Sequence, residues 1–352
     1  MEQERLEYID ALRGFTMILV VFAHIETFML SIDAQNTFIS GLFQSFRMPL
    51  FFFISGFLSY KMDKSWDFHT WKQNVAKRIR FQIIPTLMCG AIFTYCFSHG
   101  NFMDFICNYY KFGYWFTICL FGMLFILYST NYLLYKSSIK KKNYITFVLL
   151  GVAFVFILLK SICFRSPEFA KLSDIFCFHQ ICLYFPFFIL GYISSSYKII
   201  FYKFLDNDIL QAIIIVCFCI LYYIKGVLSS SLYDANIIFL LYRKFQTLII
   251  ALFGILIVFN VFRKKWIYFT QKKYISVGLK YIGRHTLEIY LLHYFFLSHI
   301  PLVGSFIMKY PNLILELLVG FTFSLFVIGI CLFCSNLIKT NPILGRYLLG
   351  RK

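Results

Sequence analysis

Ten stretches of this chain stay apolar on every face for about the length of a bilayer crossing, and nothing else in the sequence restricts its fold so strongly. They lie at roughly 11–32, 38–60, 77–99, 113–135, 144–160, 174–195, 209–225, 245–262, 284–303 and 313–337. A helix rises ~1.5 Å per residue, so segments of this length suit a hydrocarbon core of ~30 Å. Lipid offers the backbone no hydrogen bonds, so spans of this length are helices. The expectation is an all-α polytopic membrane protein, a bundle of about ten transmembrane helices forming a single domain over 1–352. The residues 232–244 read either as an amphipathic outer segment or as part of the eighth helix. The short connections leave no room for a soluble domain, and no internal repeat is visible.

Composition points the same way. The chain is 60% hydrophobic and 14% charged, against ~45–50% and ~25% for a soluble domain. A net charge of +18 could suggest nucleic acid, but the basic residues sit in short loops between apolar runs. That is a topology signal, and nucleic-acid binding is set aside. Counted by loop, 24 Lys and Arg fall on the side of the termini and 8 on the other. By the positive-inside rule both termini are cytoplasmic, in a cell (inner) membrane. The first apolar run lacks a small-residue cleavage site and reads as a retained helix. Most of the 11 cysteines lie in apolar runs, where thiols act as small hydrophobes. Cys331 and Cys334 form a C-x-x-C without a second pair, which argues against a metal or redox role.

An ionisable side chain within a span costs roughly 2.5–3.5 kcal/mol, so it usually meets a partner or a wet cavity. The first span holds Arg13, His24 and Glu26. Arg13 and His24 are separated by about 1100° of rotation, ~20° from three full turns, and ~16 Å along the axis. They share a face. Arg47 in the second span reaches a depth similar to that of His24; its alternative role is to neutralise Glu26. Ser55 and Gly56 interrupt the phenylalanines of that span and allow a backbone or ligand to approach closely. Lys77, Arg78 and Arg80 open the third span and read either as a topology signal or as a phosphate clamp. Glu288 and His293 lie in the ninth span. Of seven histidines, His24 and His293 are the two set deep in apolar helical sequence; His69, His99, His285 and His299 lie at or near loops, and His179 has no assigned role. A buried histidine can act as general base or carry an acyl group, and a nearby arginine can steady an oxyanion. No metal cluster, phosphate-cradling glycine loop or Ser/His/Asp pattern is present.

Tyr8-Ile9-Asp10-Ala11-Leu12-Arg13-Gly14 followed by His24 resembles the opening of the acyltransferase 3 family of membrane-bound acyltransferases, whose first helix carries an arginine, ten residues and a histidine. Phe46-Arg47-Met48-Pro49 through Ser55-Gly56-Phe57 is similar to the second-helix motif. Lys77-Arg78-Ile79-Arg80 before Pro85, Tyr114-Trp115-Phe116, Tyr184 to Gly191, and Leu287-Glu288-Ile289-Tyr290-Leu291-Leu292-His293 follow in order. One departure lies in the third helix. Many members have two arginines three apart; here the choice is Lys77 with Arg80, or Arg78 and Arg80 two apart. The chain also lacks the soluble C-terminal domain that some members append.

The resemblance implies transfer of an acyl group, usually acetyl, from cytoplasmic acyl-CoA to a hydroxyl of a carbohydrate or lipid-linked glycan. No bound cofactor is implied; acetyl-CoA is a substrate. His24 would be the base or acyl relay, with Arg13 positioning the donor. Arg47 would support the transition-state charge, Ser55 would line the same cavity, Arg78 and Arg80 would grip CoA phosphates, and Glu288 and His293 would line the cavity on the donor side. A transporter of a glycan or lipid is the rival from another class. Against it stand the missing repeat, the lack of paired broken helices, and the lack of acidic ion-coupling residues deep in the bundle. A membrane scaffold is the third reading, and would not need Arg13 and His24 on one face.

Overall fold

The structure is a computed structural model that describes the chain apart from residues 1–5, 34–36, 62–64, 140, 164–170, 172, 231–236, 266–273 and 352. Its regular elements are helices: α1 (Glu7–His24), continued by a π-helical turn Ile25–Met29, then α2 (Phe38–Ser59) and α3 (Phe68–Arg78). A second π turn, Ile79–Ile83, leads into α4 (Ile84–Phe97), followed by α5 (Phe102–Cys107), α6 (Trp115–Lys136), α7 (Lys142–Cys163) and α8 (Phe178–Ser196). Beyond them come α9 (Lys198–Asp206), α10 (Asp208–Ser230), α11 (Ile237–Lys264), α12 (Ile275–Arg284) and α13 (Thr286–Leu292). The last are α14 (Pro301–Lys309), α15 (Leu313–Ile338) and α16 (Pro342–Leu349).

Among the described residues nine continuous helical runs are long and apolar enough to cross a membrane, and ten if a bent pair counts as one. The all-α, multi-pass reading therefore holds, with two corrections. The ninth span, expected as one helix over 284–303, is broken: Thr286–Phe296 and Pro301–Lys309 meet at 94°. The His293–Phe296 turn is 3-10, and Pro301 starts the second arm at its first turn, where a proline costs no hydrogen bond. The third span begins at Phe68 rather than 77. Its first eleven residues bury no side chain, so an apolar-run criterion passes over them. As for the segment 232–244, residues from Ile237 onward belong to the eighth long helix, and 232–236 lie outside the described residues.

The helices gather into two compact units interleaved along the chain. The first comprises Met1–Ile54, Tyr197–Thr286 and Leu297–Ile328. α1 is its core, buried along nearly its whole length. Gly14 and Gly283 make the α1–α12 crossing possible. A Cβ on Gly14 would lie 2.0 Å from the Leu279 carbonyl oxygen, and one on Gly283 would lie 1.8 Å from that of Asp10. Two ion pairs fix the register of this crossing, Arg284 with Asp10 at 3.1 Å and Lys280 with Glu7 at 3.0 Å. Further along, Gly320 of α15 makes room for the Phe22 ring, and Phe43 and Phe321 complete that aromatic cluster.

The second unit comprises Ser55–Ser196, Leu287–Phe296 and Gly329–Lys352. Gly56 admits α8, since a Cβ there would fall 1.8 Å from the Phe188 carbonyl oxygen. The expected close approach at Ser55-Gly56 is thus made by backbone. Before α6 the chain turns a tight corner in which Lys111 and Phe112 take left-handed φ values of 50° and 49°. The Lys111 side chain is fully buried and donates to the carbonyls of Ile106, Asn108 and Asp174. An ammonium has three donors, and all three are used.

Candidate active site

α1 keeps α-helical geometry through His24 and changes to a π turn at the next residue. The eleven-residue spacing from Arg13 therefore places both side chains on one face. From Tyr8 to Glu26 every residue is buried except Arg13, Phe15 and His24. The two candidate catalytic groups are thus half-buried positions on one face of α1, with the side chains between them on that face, Thr16, Met17 and Val20, buried. Arg13 donates from Nη2 to Thr286 Oγ1 at 2.7 Å, and Thr286 is itself buried. The His24 ring stacks on Phe28 at 5.6 Å. π turns are rare and are often retained where a side chain must be re-aimed; here one begins as His24 ends.

The far end of α1 holds a feature only half visible in the sequence. Glu26 is 1% exposed and stands against Ser40 of α2 and Glu316 of α15, with Arg47 close enough to act on its charge. Neither Glu26 oxygen accepts a hydrogen bond from Arg47. Ser40 and Glu316 are likewise buried, at 1% and 6%. Both acids, Glu26 and Glu316, are buried near the ends of their spans. Glu316 sits in the first turn of α15, four positions into an apolar run, and an acid in such a run was the available signal. Thr286, overlooked among its apolar neighbours, gave none beyond its polarity.

The remaining candidates belong to the second unit. Ser55 is half-buried on α2. Lys77, Arg78 and Arg80 are exposed where α3 passes into the π turn before Pro85, and the Arg80 guanidinium lies over the Phe81 ring at 5.4 Å. This cationic group faces outward from the middle of a thirty-residue helical run rather than from its start. Glu288 pairs through one carboxylate oxygen with Lys339 and also accepts from Ser335. His293 is fully buried, its Nδ1 3.0 Å from the Ile289 carbonyl oxygen. Tyr114-Trp115-Phe116 docks on the same segment. Tyr114 donates to the Leu291 carbonyl at 2.9 Å, and Tyr290 donates to that of Gly113 at 2.7 Å. Glu288 and His293 are thus tied into packing, whereas the basic trio is free of burial.

Among the described residues no group of three or more His, Cys, Asp or Glu could hold a metal ion, and the described cysteines are free thiols. α1 offers a base and a cation in register, a combination suited to proton transfer at a hydroxyl and to stabilising an anion. The Acyl_transf_3 family model, described as an acyltransferase domain, matches residues 6–335. No curated protein and no solved structure matches the chain.

Proposed function

This chain belongs to the acyltransferase 3 family, and on that premise we propose that it moves an acyl group, acetyl in the first instance, from cytoplasmic acyl-CoA to a hydroxyl of a carbohydrate or glycolipid. The observation that carries this reading is the register of Arg13 and His24, both half-buried on one face of a helix whose other side chains from Tyr8 to Glu26, Phe15 apart, are buried. In the proposed step the acceptor hydroxyl gives its proton to the His24 ring as its oxygen attacks the thioester carbonyl. The C–O bond forms, the tetrahedral oxyanion collapses, the C–S bond breaks, and the leaving thiolate takes the proton back. Arg13 holds the donor, and Arg47 contributes positive charge where the oxyanion develops. Arg78 and Arg80 offer guanidinium forks to the CoA phosphates. The excess of Lys and Arg on the side of the termini supports cytoplasmic termini in a cell (inner) membrane.

Membranes carrying the protein, incubated with radiolabelled acetyl-CoA and candidate polysaccharide or glycolipid acceptors, test this directly. His24→Ala should cost roughly 10²–10⁴-fold in transfer, as for a lost general base, while the protein still inserts. Full transfer by that variant removes His24 from the mechanism. One observation favours the transporter reading, namely the buried pair Glu26 and Glu316, since carboxylates within spans often couple ions to transport. On that reading the label stays on acetyl-CoA and a lipid-linked glycan changes sides instead.

A further inference from the structure

Four oxygen atoms of the first unit lie buried together with no hydrogen-bond partner: Oε1 and Oε2 of Glu26, Oε1 of Glu316 and Oγ of Ser40. They come from three different elements, the π turn after α1, the start of α15 and the start of α2. Buried polar groups are almost always satisfied, and each exception calls for an explanation. Here the exceptions converge, because Ser40 and Glu316 are the groups that stand against Glu26.

Charge narrows what could satisfy them. The charged groups acting on Glu26 are Glu316 and Arg47. With both carboxyls ionised, these three described groups would carry one net negative charge in a buried site. Such a charge is costly to bury and is normally neutralised. One positive charge removes the imbalance, whereas a divalent ion would overshoot it and would want six or more oxygen ligands. The neighbouring elements carry other titratable groups: His24 on the same helix, His299, whose Nδ1 lies 3.3 Å from the Phe28 carbonyl oxygen, Asp33 beyond the π turn, and Lys309 on α14.

We propose that Glu26, Glu316 and Ser40 form a site for one monovalent cation, either a proton held between the two carboxylates or an alkali ion coordinated by their oxygens. The site does not depend on acyl transfer and would exist in an enzyme or a transporter alike. A bound alkali ion would use the carboxylates and the Ser40 hydroxyl as hard oxygen ligands. A shared proton would make one carboxyl a donor to the other.

Purified protein in detergent separates the two sources without any activity assay. Thermal unfolding is followed in sodium, potassium or N-methylglucamine chloride at equal ionic strength, for the native chain and for Glu26→Gln and Glu316→Gln. Infrared spectra at neutral pH are recorded for the carbonyl stretch of a buried carboxylic acid. An alkali ion raises the native midpoint by several degrees over N-methylglucamine, and both variants lose that dependence. A proton leaves the midpoint indifferent to the salt and gives a carboxylic-acid band that disappears in each variant. If the native protein shows neither cation dependence nor the band, the site does not exist. The native-chain measurements decide this even where a variant fails to fold.

Discussion

Gly14 and Gly283 meet backbone to backbone. A Cβ on the first would lie 3.1 Å from the amide nitrogen of the second, and the reverse distance is 3.0 Å. Each also faces a carbonyl oxygen at 2.0 Å or less, and a carbonyl oxygen cannot swing away as a side chain would. Small residues at helix crossings in membranes let backbones approach in this way. Gly14→Ala should therefore lower stability by about 1–3 kcal/mol or more, as overpacking does. Gly278, on the same helix α12, faces open space, and Gly278→Ala should be neutral or stabilising by up to ~1 kcal/mol from helix propensity. Thermal unfolding of both variants in one detergent checks the contrast, and equal losses would count against the crossing.

The same crossing brings Arg13 to Thr286. If the hydroxyl aims the guanidinium, Thr286→Val should raise KM for acetyl-CoA and lower kcat/KM by up to roughly 10²-fold, the scale of a small misplacement at a reacting site. Thr286→Ser, which keeps the acceptor oxygen, should restore it. Loss of expression in both variants, without this split, would point to packing alone.

How much of this could be read from the chain depends on the kind of contact. The spans followed from the length of apolar runs, and the Arg13–His24 register from helical periodicity, because both are local. Gly283, Thr286 and Glu316 gained their meaning from partners some 270 to 290 positions away, which no local pattern encodes. The break after Phe296 did carry a signal, Ser298, His299 and Pro301, but the apolar residues on both sides let the two arms read as one run. The start of the third span at Phe68 was hidden for the opposite reason, since its first turns are polar. The π turns left no compositional trace.

Glu288 and Lys339 offer a test of structural against substrate roles. The Lys339 side chain is 6% exposed, so removing its partner leaves a buried ammonium without its counter-charge. Glu288→Gln should cost about 3–5 kcal/mol, as broken buried pairs do. The double change Glu288→Gln with Lys339→Met should recover much of it. If Glu288 instead binds substrate, the double variant stays as inactive as the single one while regaining stability.

Acid should act first on the start of the third span. Hydrogen bonds from the Thr70 side chain and, at 2.8 Å, from the Thr70 amide hold the capping Asp67 carboxyl below the ordinary value of 3.8. A lowered carboxylate contributes stability above its unfolded value and loses it as pH falls through the folded one. Helix content at Phe68–Arg78, followed by amide exchange, should therefore drop below about pH 3.8. Asp67→Asn should keep the cap and abolish the pH dependence, whereas Asp67→Ala should fray the turn at every pH.

The corner at Lys111 also sets an order of assembly. Two of its three carbonyl acceptors come from residues already made, Ile106 and Asn108, but the third belongs to Asp174, 63 positions later in synthesis. Until that carbonyl arrives the ammonium keeps a donor turned to water, so the loop ahead of α6 cannot seal on its own. Completion of this corner waits on the segment that carries Asp174, and a chain halted before it would leave the corner open.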